Sequence, residues 1–433
     1  MFIKKSIFIF GILFTIFAVA GLQAQTKLDT LLIPSLNSLL NESGCGTKAC
    51  GMGRSFTALA DDPTAIEWNP AGLIQIEKSL AYLSGRFSFG NVSTKEPISR
   101  QGTYSISATD RAQFYLNYIG FSFPFKTTKL NLVGGIAVRS MSDFGGNFIV
   151  KETENETENT TEYGTETRGG VYSMSPALGF EVLPELGIGM AINFISGKYK
   201  IRTSVSKTMN SLKEDKWEEN TQKYSGASFD IGVLWKPLKE ISLGTKISFP
   251  YTINISNITS HDYTNRSSGE YDVEKSLTIP TLFSFGLASR LSKEFTFAMD
   301  YHIKPWRKIR LGAEGRDIDR LFEPENSFHT GLEYLLKSNN ALVPMRIGFY
   351  IDPTQIFEIS EESSHAKGDR IIKNVFTLGS GFIMKGFSLE FAFDYYLLQY
   401  SSFENPNLNN LPNHSIDINH SKYNFTLSSI ISL

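Results

Sequence analysis

Phe295-Thr296-Phe297-Ala298-Met299-Asp300-Tyr301-His302-Ile303 alternates without a slip, with Phe295, Phe297, Met299, Tyr301 and Ile303 on one phase and Thr296, Ala298, Asp300 and His302 on the other. A period of two places successive side chains on opposite faces of a β-strand. One face here is large and apolar while the other is small, polar or charged, as in a strand with lipid outside and a polar lumen inside. The pattern recurs in both directions along the chain. Phe229, Ile231, Val233 and Trp235 oppose Asp230 and Gly232; Leu243, Ile247 and Phe249 oppose Gly244, Lys246 and Ser248; Leu389, Phe391, Phe393 and Tyr395 oppose Glu390, Ala392 and Asp394. A soluble sandwich alternates too, so the connections between strands have to decide.

Outer-membrane barrels alternate short periplasmic turns with long outer loops. Short turns fall near 126–129, 183–185, 236–240, 291–293, 337–341 and 385–386. Polar stretches near 92–111, 142–169, 206–221, 259–272, 313–325, 353–369 and 401–415 read as the long loops. Residues 152–166, rich in Glu, Thr and Asn, read as a solvated external loop. The expected fold is therefore all-β: an antiparallel transmembrane β-barrel of about fourteen strands, starting near Ser79 and ending at Leu433, with both ends on the periplasmic side. The last strand keeps Tyr423, Phe425, Leu427, Ile431 and Leu433 in one phase. Such a strand suits recognition by barrel-assembly machinery during biogenesis.

Composition agrees with this class. Of 433 residues, 41% are hydrophobic and 13% aromatic, and the formal net charge of −2 gives no basic face for nucleic acid. The chain opens Met1-Phe2-Ile3-Lys4-Lys5, followed by an apolar run from Ile7 to Leu22, which reads as a secretory signal peptide cleaved after Ala24 or after Ala20. A retained anchor is the competing reading, but the run falls short of the ~20 residues that a span needs. No later apolar run is long enough for a membrane helix, which leaves a soluble exported protein or a closed barrel. The expected organisation is a signal peptide at 1–24, an N-terminal lumenal segment at 25–78 and a barrel at 79–433, in the outer membrane of a Gram-negative cell. The two cysteines, Cys45 and Cys50, follow export. In an oxidising periplasm they read as a small-loop disulfide. A redox pair normally shows C-x-x-C, and a metal site needs more ligands nearby.

Before the first strand runs Gly51-Met52-Gly53-Arg54-Ser55-Phe56-Thr57-Ala58-Leu59-Ala60-Asp61-Asp62-Pro63-Thr64-Ala65-Ile66-Glu67-Trp68-Asn69-Pro70-Ala71-Gly72-Leu73. Gly51 and Gly53 permit tight backbone approach, Ala58 and Ala60 keep one face slim, and Asn69-Pro70 opens a turn. Such a segment packs closely inside something. Asp61 and Asp62 invite a catalytic reading, but sequence neighbours rarely converge on one atom; hydrogen bonds to backbone and to arginines of the wall fit them better. This stretch resembles the hatch of the FadL/OmpP1/TodX family, a short N-terminal plug inside a fourteen-stranded barrel. The hatch motif comprises Gly51, Gly53, Arg54, Asp61, Asp62, Asn69, Pro70 and Ala71. Phe328 to Asp352, and Asp300 through Trp306, resemble late strands of the same family. Trp68 before Asn69 fits equally well the related PorV-type shuttle barrels of the type IX secretion system.

The resemblance implies passive uptake of hydrophobic molecules such as long-chain fatty acids, with lumen binding and lateral release beside an inward kink in the third strand. A monomer embedded in outer-membrane lipid is expected; no Ser-His-Asp constellation, phosphate loop or Gly-x-Ser-x-Gly elbow appears, so a barrel phospholipase is disfavoured and neither enzymatic activity nor a cofactor is expected. Gly134-Gly135, in the third strand, is a place for that kink because glycine weakens a strand; alternatively the pair makes room for the hatch. A ligand carboxylate in an apolar lumen wants a cation, and Arg139 and Lys246 lie in the lumenal phase. Charges such as Asp230, Asp300, Glu333, Arg346 and Asp394 can equally pair with each other or with the hatch. The six histidines show no close metal-ligand spacing. The alternative function is a shuttle barrel that binds protein clients. A transporter requires a continuous apolar pocket ending near a third-strand gap, whereas a shuttle requires a broad outer surface.

Overall fold

The wall is built from the alternating segments. A computed structural model describes residues 44–94, 103–126, 131–143, 145–153, 160–209, 212–262, 267–271, 275–312, 323–338, 340–359, 367–403 and 415–433. The expected signal peptide lies outside the described residues. Fourteen antiparallel strands follow one another: β1 (Leu80–Thr94), β2 (Thr103–Lys126), β3 (Asn131–Asp143, continued by Gly146–Thr153), β4 (Thr160–Leu183), β5 (Leu186–Met209), β6 (Leu212–Leu238) and β7 (Ile241–Ser248 and Tyr251–Asp262). Then come β8 (Ser267–Tyr271, Lys275–Ile279 and Leu282–Arg290), β9 (Phe295–Lys304 and Arg310–Gly312), β10 (Glu325–Ser338), β11 (Ala341–Ile359), β12 (Lys367–Met384), β13 (Phe387–Phe403) and β14 (Ser415–Ser432). Pro250 interrupts β7, Pro280 separates Lys275–Ile279 from Leu282–Arg290 in β8, and Pro305 interrupts β9, each lacking the N–H that a ladder requires. β14 pairs with β1 from Leu80↔Ser432 to Thr94↔Ile418, which closes the sheet. Closure leaves no edge strand, as a wall in lipid requires.

The predicted phases hold. In β9 the side chains of Thr296, Ala298, Asp300 and His302 are buried, while Tyr301 is exposed and Phe295, Phe297 and Met299 are half-buried. Around the outside runs a belt of exposed apolar residues that includes Phe123, Ile136, Met174, Phe194, Trp235, Tyr334, Ile347, Leu378, Phe391 and Leu427. Such a belt marks an outer-membrane wall. The predicted outer loops were too long. β5 and β6 run together to Met209↔Leu212, through residues expected to be loop, and β4 begins at Thr160 inside the expected 142–169 loop. These segments are polar yet rich in Thr, and opposite charges meet across the strands, as where Arg202 faces Glu219 at 3.2 Å and Lys200 reaches it diagonally at 2.9 Å. Such pairs support strands in water. A membrane strand needs about 9–11 residues, so strands of 24 and 27 residues such as β5 and β6 rise far above the bilayer.

The N-terminal segment contains two short helices, α1 (Thr47–Gly51) and α2 (Ala65–Trp68), and a 3-10 turn, Pro70–Gln75. It is almost wholly buried against lumenal residues of the wall. Its Cys45, Ala49, Met52, Phe56, Ala58, Leu59, Ile66 and Leu73 form one apolar core with Tyr82, Tyr118, Val133, Ala137, Ala177, Ala191, Ala288 and Ala298 of the strands. The close approach explains the small residues of both partners. A Cβ on Gly244 would lie 2.2 Å from the Thr57 carbonyl oxygen, and one on Gly348 would lie 2.1 Å from the Gly53 nitrogen. Gly53 itself has φ +63° and faces the backbone of Thr330 and Phe349, a place that only glycine fills without strain.

Candidate functional site

The hatch-motif residues tie this segment to the wall and to itself. Asn69 Nδ2 donates to Thr57 O (2.8 Å) and to Val233 O (3.0 Å), and its Oδ1 accepts from Ala71 N (3.1 Å), capping the turn that Pro70 begins. Arg54 lies over the Tyr350 ring, 4.8 Å from its centroid. Asp61 pairs with Lys48 at 2.8 Å and Arg290 at 3.6 Å; burial works to raise its carboxyl, yet these cations hold it below the usual range. Asp62 turns elsewhere, accepting from Thr64 N (2.7 Å) and Thr64 Oγ1 (2.6 Å), and burial pushes its carboxyl up to about 6. The two carboxylates thus diverge, as their adjacency required, and neither faces a shared reacting atom.

The expected disulfide is not formed: Cys45 and Cys50 are both buried free thiols. Helix α1 carries Cys50 toward the wall, where its Sγ accepts from Arg86 Nη2 at 3.0 Å. Cys45 lies before the helix, within the apolar core. Burial first, and then the nearby Glu67 carboxylate, push its thiol well above the usual range.

At Gly134-Gly135, the expected kink, the strand pairing shows no break. The ladder is unbroken on both sides, with Gly134 opposite Phe123 and Leu178 and Gly135 opposite Ser122 and Ala177. Gly135 makes room for the N-terminal segment, since a Cβ there would lie 2.8 Å from Ile66 Cδ1, whereas one on Gly134 would meet Phe125 of the wall. The irregularity comes further along β3. β2 and β3 pair from Lys126↔Asn131 to Tyr118↔Arg139, and again from Ala108↔Phe148 to Thr103↔Thr153. Among the described residues no β2–β3 pair joins 109–117 to 140–147. On the other edge of β3 the register slips between Ser140 and Ser142, which leaves Met141 as the extra residue of a bulge.

The lumenal phases of β3 to β9 then read as three layers. Nearest the periplasm are the small residues packed on the N-terminal segment, such as Ala137, Ala177, Ala191, Gly232, Gly244 and Ala298. Outward from these lies a buried polar belt. Ser173 Oγ lies 3.3 Å from Ser175 Oγ, Ser175 Oγ donates to Asn193 Oδ1 (2.7 Å), Asn193 Nδ2 donates to Asp230 Oδ2 (3.0 Å), and Asp230 pairs with Lys246 at 3.3 Å. Lys246 Nζ also donates to the Glu67 carbonyl oxygen at 2.5 Å, with Glu67 Oε1 at 3.9 Å, and Glu67 Oε2 ion-pairs with Arg139. Both predicted cations are therefore lumenal as expected, and both converge on Glu67 of α2. The third layer is an apolar cluster of Met141, Val171, Ile195, Tyr199, Ile201, Tyr224, Ile253, Ile255, Leu277, Ile279, Trp306 and Ile309. Met141 belongs both to this cluster and to the bulge beside the ladder break.

Sequence reasoning missed Glu67, the cluster and the position of the break. One signal was available: along single lumenal phases, small residues give way to polar ones and then to large apolar ones, as in Ala137-x-Arg139-x-Met141 and Ala191-x-Asn193-x-Ile195. A further arrangement joins β9 and β10. His302 and His329 meet edge to face at 4.6 Å, His302 Nδ1 lies 2.8 Å from Ser284 Oγ, and His329 Nδ1 lies 2.8 Å from the Gly53 carbonyl oxygen. Among the described residues no group of side chains is arranged to hold a metal ion.

A closed, lipid-belted, fourteen-stranded barrel whose lumen holds a buried N-terminal segment and an apolar cluster is an outer-membrane protein of the FadL-like barrel fold. Residues 57–368 match the BamG family, and the chain belongs to it. Solved structures share the fold at low identity. The Pseudomonas putida toluene transporter TodX is 12% identical with a TM-score of 0.62, covering 91% of this chain and 99% of its own. A Pseudomonas aeruginosa FadL homologue is 12% identical with a TM-score of 0.59, covering 89% and 98%. The Ralstonia pickettii toluene transporter TbuX is 13% identical with a TM-score of 0.55, covering 91% and 100%. No curated protein matches the sequence.

Proposed function

We propose that this protein is an outer-membrane channel for hydrophobic small molecules, taken up passively through an apolar lumenal site and released sideways into the membrane. The observation that carries this reading is the apolar cluster reaching Met141 at the place where, among the described residues, the β2–β3 ladder is interrupted. A sideways exit spares an apolar molecule from crossing the polar belt and the N-terminal segment. The N-terminal segment acts as a plug, closing the axial route to ions and polar solutes. Solved structures of this fold include toluene transporters and a monoaromatic hydrocarbon channel, which supports the reading without supplying a ligand.

The test combines mass spectrometry of lipids co-purifying in mild detergent with uptake of a labelled apolar compound by cells expressing the protein. Met141→Lys puts a charge at the proposed exit and is expected to lower uptake at least tenfold while the barrel still assembles. Unchanged uptake in a folded variant removes the sideways route. The tall outer wall formed by strands such as β5 and β6 favours a second reading, a barrel that binds protein clients. An empty barrel that transports nothing and co-purifies with exported proteins decides for it.

A further inference from the structure

The polar belt carries its own carboxylate in the place where an anionic ligand would bind. Arg139 is the last residue of β3 paired to β2 before the ladder break, and two residues on, Met141 belongs to the apolar cluster. The belt forms the inner border of the space between that cluster and the break, with Arg139 on the β3 side and Lys246 across from it, so a molecule held there has its polar end beside both cations. Both cations already face Glu67, which reaches Arg139 through Oε2 and lies 3.9 Å from Lys246 through Oε1. Lys246 is held in addition by Asp230 at 3.3 Å and by the Glu67 carbonyl oxygen at 2.5 Å. In this group two cations face two carboxylates, Glu67 and Asp230, all of them buried or nearly so. An entering carboxylate either displaces Glu67, stranding it in a site with little water, or adds a third negative charge. Both are strongly opposed in a buried site, where an uncompensated charge loses its hydration without recovering it.

We propose that Glu67 is the specificity-determining residue of the lumen: as a built-in carboxylate on Arg139 and Lys246, it makes the channel selective for neutral apolar molecules over fatty-acid anions of the same chain length. This rests on the channel reading above, and it replaces the expectation that Arg139 and Lys246 bind a ligand carboxylate. Removing the charge of Glu67 while keeping its shape turns the belt net positive. Glu67→Gln therefore converts the site into one that accepts an anion.

The experiment compares 1-dodecanol with dodecanoate at pH 8, where the acid is ionised, by displacement of a fluorescent apolar probe from the full chain in lipid nanodiscs. The readout is the ratio of the two affinities in each protein, which a general loss of packing does not move in one direction. The native chain is expected to prefer the alcohol at least tenfold, and Glu67→Gln to shift the ratio toward dodecanoate at least tenfold. Asp230→Asn, which frees Lys246 from its other carboxylate, is expected to shift it the same way by a smaller factor and serves if Glu67→Gln does not assemble. Equal binding of both compounds by the native chain, or a ratio that does not move in an assembled variant, overturns the inference. Failure of the native chain to bind dodecanol at all overturns the channel reading itself.

Discussion

Asp61 and Asp62 show how far one position along a chain changes a carboxyl group. Asp61 reaches two cations and stays ionised, whereas Asp62 is only 5% exposed, has hydroxyl and amide donors from Thr64, and titrates near 6. An ordinary Asp titrates near ~4, so folding favours the protonated form of Asp62. The stability that this gives is complete below about pH 4, falls as pH rises toward about 6 and is level beyond. Asp62→Asn keeps an acceptor for Thr64 and removes the titration. We expect the native barrel to lose up to about 2–3 kcal/mol relative to the variant between pH 4 and pH 7, because each tenfold change in proton affinity on folding is worth ~1.4 kcal/mol. The measurement is the temperature at which each protein unfolds on semi-native gels across that range; parallel curves would remove Asp62 as the source. The sequence exposed the divergence of this pair, because neighbours in a tight turn point apart. It did not expose Glu67, since a lone acidic residue beside a Trp carries no periodicity and gains meaning only when β3 and β7 bring two cations to it. Nor did the spacing of Cys45 and Cys50 reveal that a helical turn would carry one thiol to Arg86.

At the scale of elements, the membrane-level strands were legible because lipid enforces strict alternation, and the short turns at 184–185, 239–240 and 385–386 fell where charged and Gly residues interrupt it. The outer halves of β3 to β8 were not legible as strands. Above the bilayer neither face is forced to be apolar, so Thr-, Lys- and Glu-rich text reads as loop although it pairs well across strands. The glycines were read with one meaning too many. Gly134-Gly135 resembled a weak point, but the strand holds, and the fault lies at the bulge of Met141, where no sequence signal separates Ser140-Met141-Ser142 from ordinary alternation. The same logic yields a prediction for the glycines facing the N-terminal segment. Gly244→Val places a branched side chain where the Cβ alone would stand 2.2 Å from the Thr57 carbonyl oxygen. Overpacking of this kind costs about 1–3 kcal/mol, and here the segment is expected to move rather than the closed wall. Limited proteolysis should then cut within residues 44–76 in the variant while the barrel stays heat-resistant; equal protection in both proteins would show that the contact yields without freeing the segment.

For the whole molecule, fourteen strands, closure and an outer apolar belt followed from one repeated pattern, while the layering of the lumen emerged only once seven strands were set in register. That layering divides the work of the interior. The wall alone is a ring of small residues near the periplasm, with charged pairs such as Arg346 and Glu333 at 2.7 Å bound within it; what fills it is the N-terminal segment. Strand pairing does not depend on that segment, because each strand is satisfied by its neighbours and β1 by β14. Deleting residues 44–76 is therefore expected to leave a barrel that assembles and resists heat, with a lumen now open at the level of Gly244 and Ala298. Water and salt fill such a space, since the newly uncovered residues Arg139, Lys246, Asp230 and Asp300 are charged and are stabilised by hydration once Glu67 and the Phe56–Thr57 amides are gone. In planar bilayers the full chain should pass little current, and the deletion variant should show stepwise conductance at least tenfold larger. A folded deletion variant that remains silent would mean that the apolar cluster of β3 to β9 closes the axis by itself, and the role of plug would pass from the N-terminal segment to the wall.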